Sequence, residues 1–193
     1  MIRRPTYERL KRLSEGPFPA STIRYARRYL LDHPRNGIAW HMLAAALVES
    51  GRYEEAEQAL SKAIQFCPLE KQQIPLAMMG HLFEQSGDYE QAVDWFRKAI
   101  AADPSDAKYH LYLGTVLAKQ GKLHEAVEVL QKAIQCTEGR LDEAHLALGM
   151  VLRSLDRFPE AADCFREAIR VDSTGREARR ALRDVERCMR WSH

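Results

Sequence analysis

One set of eight positions recurs four times in this chain of 193 residues, and a regular period of this length leaves few folds open. Read in register, Leu43-Ala44, Met79-Gly80, Leu113-Gly114 and Leu148-Gly149 each pair a large apolar residue with a small one. Leu47, Phe83, Leu117 and Leu152 follow, then turns at Gly51, Gly87, Gly121 and Asp156, then Tyr53, Tyr89, Leu123 and Phe158. Ala56, Ala92, Ala126 and Ala161 come next, followed by Leu60, Phe96, Leu130 and Phe165, and by Ala63, Ala99, Ala133 and Ala168. Equivalent turns are 36, 34 and 35 residues apart. Apolar residues at i, i+3, i+4 and i+7 on both sides of each turn predict two helices per unit, each with one buried stripe. Gly at the turn tolerates positive φ, which a tight reversal needs. A single helix pair cannot cover its own apolar face, so neighbouring units must stack.

The pattern resembles the tetratricopeptide repeat, whose signature runs Trp, Leu-Gly, Tyr, Ala, Phe, Ala and Pro over about 34 residues. Trp40 holds the Trp place in the first clear unit, and Leu76, His110 and His145 replace it later. Pro68 and Pro104 close two units, while Glu138 and Ser173 stand where a Pro would close the others. The resemblance implies an all-α, right-handed superhelical solenoid of stacked antiparallel helix pairs. Its repeats would span 37–70, 73–106, 107–140 and 142–175.

Residues 3–36 read as a degenerate first repeat, with helices at Thr6 to Glu15 and Ala20 to Asp32 and an apolar stripe of Leu10, Leu13, Ile23, Ala26 and Leu30. Residues 176–191 read as a C-terminal capping helix with Ala178, Ala181, Leu182, Val185 and Met189 on one side. Terminal units of a stack are atypical because one face meets water. Eleven helices, no strands and a single domain over 1–193 are expected, since the period leaves no linker.

Composition narrows the function classes. A hydrophobic fraction of 46% with 29% charged residues is ordinary for a water-soluble chain, and no apolar run approaches the ~18 residues of a membrane span. The N-terminus is basic but has no apolar stretch behind it, so a cytoplasmic location is expected. Cys67, Cys136, Cys164 and Cys188 form no Cys-x-x-Cys pair, so packing roles are expected rather than disulfides or metal ligation. Net charge is +2 but unevenly spread: nine Lys or Arg against three acids over 1–36, 14 against 21 over 37–172, six against three over 173–193. The basic ends leave open a second reading, an adaptor for nucleic acid or an acidic membrane surface. They lack the aromatic interleaving of a single-strand binder, and solvated helix faces account for them better.

Catalytic motifs are sparse. Ser105 and Lys108 have a Ser-x-x-Lys spacing, but they follow Asp103-Pro104 at a helix start, where Ser or Asp caps the helix. There is no Gly-rich phosphate loop and no His-Glu-x-x-His, so neither an enzyme nor a metal or cofactor is expected.

The resemblance instead implies a concave groove lined by first helices that holds a protein or peptide. Carried over by register, the groove residues are Ile38, His41, Ala45 and Glu49; Ile74, Ala77, His81 and Glu84; Lys108, Leu111, Tyr112 and Thr115; and Glu143, Leu146, Met150 and Arg153. The degenerate unit would add Arg4, Tyr7 and Lys11. His41 and His81 are read as structural hydrogen-bond partners, with no third group to complete a metal site. The alternative for Leu111 and Leu146 is a core role. Some members of the family grip a chaperone's C-terminal carboxylate with Lys, Asn, Asn, Lys and Arg. Here those places hold His41, Ala45, Met78, Lys108 and Tyr112, so carboxylate-clamp binding is not expected. Self-association through the groove or the last helix stays open.

Overall fold

The computed structural model describes residues 5–191, which form two compact units divided between Ser86 and Gly87. Unit 1 contains α1 (Tyr7–Ser14), α2 (Pro19–Asp32), α3 (Gly37–Glu49), α4 (Tyr53–Phe66) and α5 (Gln73–Ser86). Unit 2 contains α6 (Tyr89–Ala102), α7 (Ala107–Lys119), α8 (Leu123–Gln135), α9 (Leu141–Ser154), α10 (Phe158–Val171) and α11 (Arg176–Trp191). Among the described residues the fold is therefore all-α with eleven α-helices, as the period predicts. One short 3-10 turn, Leu69–Lys71, and an isolated bridge between Asp106 and Glu138 are the additions.

The 3-10 turn lies in the 36-residue spacing, where the repeat register leaves residues 71 and 72 over. The Gln72 amide there donates to Ile64 O at 3.1 Å and Cys67 O at 3.2 Å, two carbonyls that the end of α4 would otherwise leave open. Side chains cap the starts of α3, α6 and α7. Asn36 accepts from Ala39 N at 3.0 Å, Asp88 from Gln91 N at 3.1 Å and Asp106 from Lys108 N at 3.0 Å. The cap of α7 is thus Asp106, and Ser105 Oγ donates to Asp103 instead.

The signature residues make the packing. Ala56, Ala63, Ala92, Ala99, Ala126, Ala133 and Ala161 are completely buried, and they let the helices approach closely. The small residue of each first helix makes room for a large one of the second. A Cβ on Gly114 would lie 2.6 Å from Leu130 Cγ, and one on Gly149 would lie 2.5 Å from Phe165 Cε1. The turn positions Gly51, Gly87 and Gly121 have φ of 69°, 82° and 77°, and Asp156 takes the same left-handed conformation at 57°.

In unit 1, α3 packs on α1, α2 and α4. In unit 2, consecutive helices pack pairwise, α7 also meets α9, and α9 also meets α11. First helices therefore neighbour one another as α7, α9 and α11 in unit 2, and α1 meets α3 in unit 1. The last helix covers α10 with Ala178, Ala181 and Val185 buried.

Candidate functional site

In unit 1 the candidate residues lie on α1, α3 and α5. Tyr7 is half-buried with its ring 6.4 Å from that of Tyr29, and Lys11 is exposed. Arg4 lies outside the described residues. On α3, Ile38 and His41 are half-buried, Ala45 is half-buried and Glu49 is exposed. Ile38 lines a shallow cavity with Phe66 and Pro68. Burial lowers the His41 pKa below its ordinary value, and its Nδ1 is enclosed with no hydrogen-bond partner, so the ring is neutral at pH 7. On α5, Ile74 is 45% exposed, the largest apolar surface among the candidates, whereas Ala77 is buried. His81 Nδ1 is 3.1 Å from Glu84 Oε2, one turn along the same helix. His81 thus has a hydrogen-bond partner of the kind the sequence suggests for both histidines, whereas His41 Nδ1 has none among the described residues.

In unit 2 the candidates divide by burial. Lys108 Nζ is 2.5 Å from Asp106 Oδ2 and 4.6 Å from the Tyr109 ring centroid. Desolvation works against its charge, but Asp106 and Tyr109 outweigh that cost and its pKa is raised. Its ammonium is therefore engaged at the start of α7. Tyr112 is half-buried against Phe96, the ring centroids 5.6 Å apart, and Thr115 Oγ1 donates to Leu111 O at 2.8 Å. Leu111 is only 7% exposed, so it has little surface to offer a partner. Its neighbours in register, Leu146 and Met150, are half-buried and do keep surface, while Glu143 pairs with Arg140.

Met150 and Arg153 come together at a cavity of about 520 Å³ that α11 completes with Arg176, Arg180, Glu177 and Asp184. The sequence predicts a covering role for α11 and leaves self-association through it open, but does not place it at this cavity. The missed signal is the register itself: Glu177, Arg180 and Asp184 each stand 34 residues after Glu143, Leu146 and Met150. The last helix thus continues the series of first helices and presents the same stripe. No ion pair occupies Arg153, Arg176 or Arg180 among the described residues, and these three guanidinium groups share the cavity lining with the carboxylates of Glu177 and Asp184 and with the Met150 thioether.

Among the described residues, no three His, Cys, Asp or Glu side chains are grouped to hold a metal, and no helix is long and apolar enough to cross a membrane. All four cysteines are free thiols. Cys136 Sγ lies 3.8 Å from His110 Nδ1, yet burial raises the thiol pKa and lowers that of the imidazole, the reverse of an activated thiolate pair.

A family model described as the C-terminal domain of cilia and flagella-associated protein 70, a tetratricopeptide-repeat model, matches residues 29–150. A tetratricopeptide repeat model matches residues 146–171. Human tetratricopeptide repeat protein 7A is 27% identical over 162 residues, which is 84% of this chain but 18% of that protein. The Hsp70-Hsp90 organising protein of Plasmodium falciparum is 27% identical over 110 residues, 57% of this chain and 43% of the relative. This chain thus spans less than half of either relative. The solved structure of YrrB, described as a TPR protein with an unusual peptide-binding site, superposes with a TM-score of 0.70 at 17% identity, covering 90% of this chain and 88% of that one. With the family model spanning well over half of the residues and the signature positions packed as the repeat requires, the chain belongs to the tetratricopeptide-repeat family.

Proposed function

We propose that the protein is a non-catalytic interaction module, a scaffold, adaptor or chaperone, that holds a peptide or helix of a partner protein against its first-helix faces. The observation that carries this reading is the apolar surface left at places the repeat does not need for packing: Ile74 on α5, and Leu146 and Met150 on α9. Apolar stripes that the fold does not bury mark binding faces. Relatives whose names or descriptions concern chaperone organisation and peptide binding support the same class. The groove residues His41, Lys108 and Tyr112 still lack the donor set of a carboxylate clamp, so the proposed partner is not a chaperone tail held in that way. A cytoplasmic location belongs to this proposal and rests on the sequence reading alone.

The test is affinity capture from native lysate with the full chain and with a Leu146→Ser, Met150→Ser double variant. Leu111 is left intact because its burial would make any change there a reading of stability. The expected outcome is that a partner held by the wild-type chain is lost from the variant while the melting temperature changes little. Equal capture by a folded variant would refute the role of this face.

A further inference from the structure

Unit 1 carries a second surface that the first-helix reading does not use. The outer helices α2 and α4 stand apart, with α3 as the floor between them, and enclose a cavity of about 580 Å³. This lies within the range of roughly 300–1,000 Å³ typical of ligand pockets. Trp40, Leu43 and Leu47 form its floor, Leu30 and Leu31 one wall and Ala59 part of the other. Leu31 is 81% exposed, although a leucine at the end of an amphipathic helix gains most when covered. Each floor residue follows Ile38, His41 or Ala45 by two positions, about 200° around the helix, so this face of α3 is opposed to the one described above.

The charges around this cavity are one-sided. Arg27 and Arg52 both pair with the single carboxylate of Glu55, the latter with Nε 2.7 Å from Oε1. Beyond Arg27 the surface continues into a cavity of about 470 Å³ lined by Ala20, Ile23, Arg24 and Arg52. At the opposite end stands Lys62, whose ammonium has no carboxylate partner among the described residues and lies 5.9 Å from the Phe66 ring centroid. Four cations thus rim the trough against one acid. Along α2 it runs from Ala20 to Leu31, roughly 16 Å at 1.5 Å per residue.

We propose that this outer trough of α2, α3 and α4 is a docking site for an acidic amphipathic helix of a partner protein. The length calls for an extended element rather than a compact small molecule. Its walls are side chains of helices whose backbone groups are already bonded internally, so the trough offers no backbone partners to a strand. The occupant must satisfy its own backbone, and a helix does so. Its apolar stripe would cover Leu31 and Trp40, and its carboxylates would meet Arg24, Lys62 and the two arginines that share Glu55.

The test pans the full chain against a phage library of amphipathic helices about 15 residues long, four turns, with leucines on one stripe and Glu, Lys, Gln or Ser free elsewhere. Recovered peptides are then measured by fluorescence anisotropy. Expected are Glu-rich binders whose affinity falls at least about tenfold with Leu31→Glu and, separately, with Lys62→Glu, and weakens with salt. Ile74→Glu, on the first-helix face, should leave these peptides bound. Both outer residues are exposed, and circular dichroism checks that each variant is folded. Recovery of Lys-rich or neutral binders, or of no peptide sensitive to Leu31 or Lys62, would overturn the proposal. Peptides lost only with Ile74→Glu would do the same while supporting the first-helix reading. Sedimentation velocity adds one further outcome: a dimer that Leu31→Glu dissociates would assign the trough to a second copy of this chain and overturn the proposal.

Discussion

At Gly37 the start of α3 lies against the end of α4, and a Cβ there would stand 2.3 Å from Cys67 N. The obstruction is backbone, which cannot rotate away, so Gly37→Ala is expected to lose about 1–3 kcal/mol in urea denaturation. Asp156→Gly should act in the opposite sense. Asp156 holds the left-handed conformation that the equivalent turns give to Gly, and relief of that strain is expected to add up to about 1 kcal/mol. The turn at Asp156 was legible in the sequence because three glycines in register announce it. The need for Gly37 was not, because the atoms that enforce it belong to a helix end 30 residues later. Histidine protonation gives a third residue-level expectation. Burial is the leading cause that lowers the pKa of His41, His110 and His145, so as pH falls below about 6.5 the unfolded chain takes up protons before the folded one. Their contribution to stability is complete above that value and is lost below it. The melting temperature should fall from pH 7.5 to 5.5, and less so for His41→Gln; a flat profile would count against neutral, buried rings.

At the scale of the element, eight of the eleven helices could be read from the period, and α1, α2 and α11 from their own apolar stripes at helical spacing. The same register carries α11 into the series of first helices, but the period does not say which neighbours its polar residues meet. Its apolar side, Ala178, Ala181 and Val185, packs as expected, but its arginines also complete the cavity at Met150. A polar residue on a helix gives no sign by itself of which neighbour it faces. Likewise Leu111 and Leu146 occupy the same repeat place, yet one is buried and the other half-exposed, since burial depends on neighbours as well as register. Ending the chain after Ser173 would uncover α10 and forfeit the burial of Val185, worth about 1.5–3 kcal/mol for such a side chain at full burial. For a chain of this size each kcal/mol corresponds to about 2–4 °C in melting temperature. Thermal melting with light scattering should therefore register a lower transition and aggregation. A truncated chain as stable and monomeric as the parent would show that α11 contributes nothing to the stack.

For the molecule as a whole, the two compact units meet in sequence between Ser86 and Gly87, and the repeat register places that boundary inside one helix pair rather than between pairs. Met79-Gly80 before it and Tyr89, Ala92 and Phe96 after it belong to a single copy of the signature. Stack stability is approximately a sum of unit terms and nearest-neighbour terms, and a sequence repeat that runs across the boundary predicts coupled unfolding. The expectation is one cooperative transition for a single domain. Trp40 reports on unit 1 and Trp95 on unit 2, and replacing the other two tryptophans by Phe in turn leaves one reporter in each variant. Both should give the same urea midpoint and the same slope once each is corrected for its own stability change, and coincidence of separate probes is the two-state criterion. Distinct midpoints that persist after this correction would instead make the units independent domains, and the partner segment of the proposed function would then have to be sought on each unit separately.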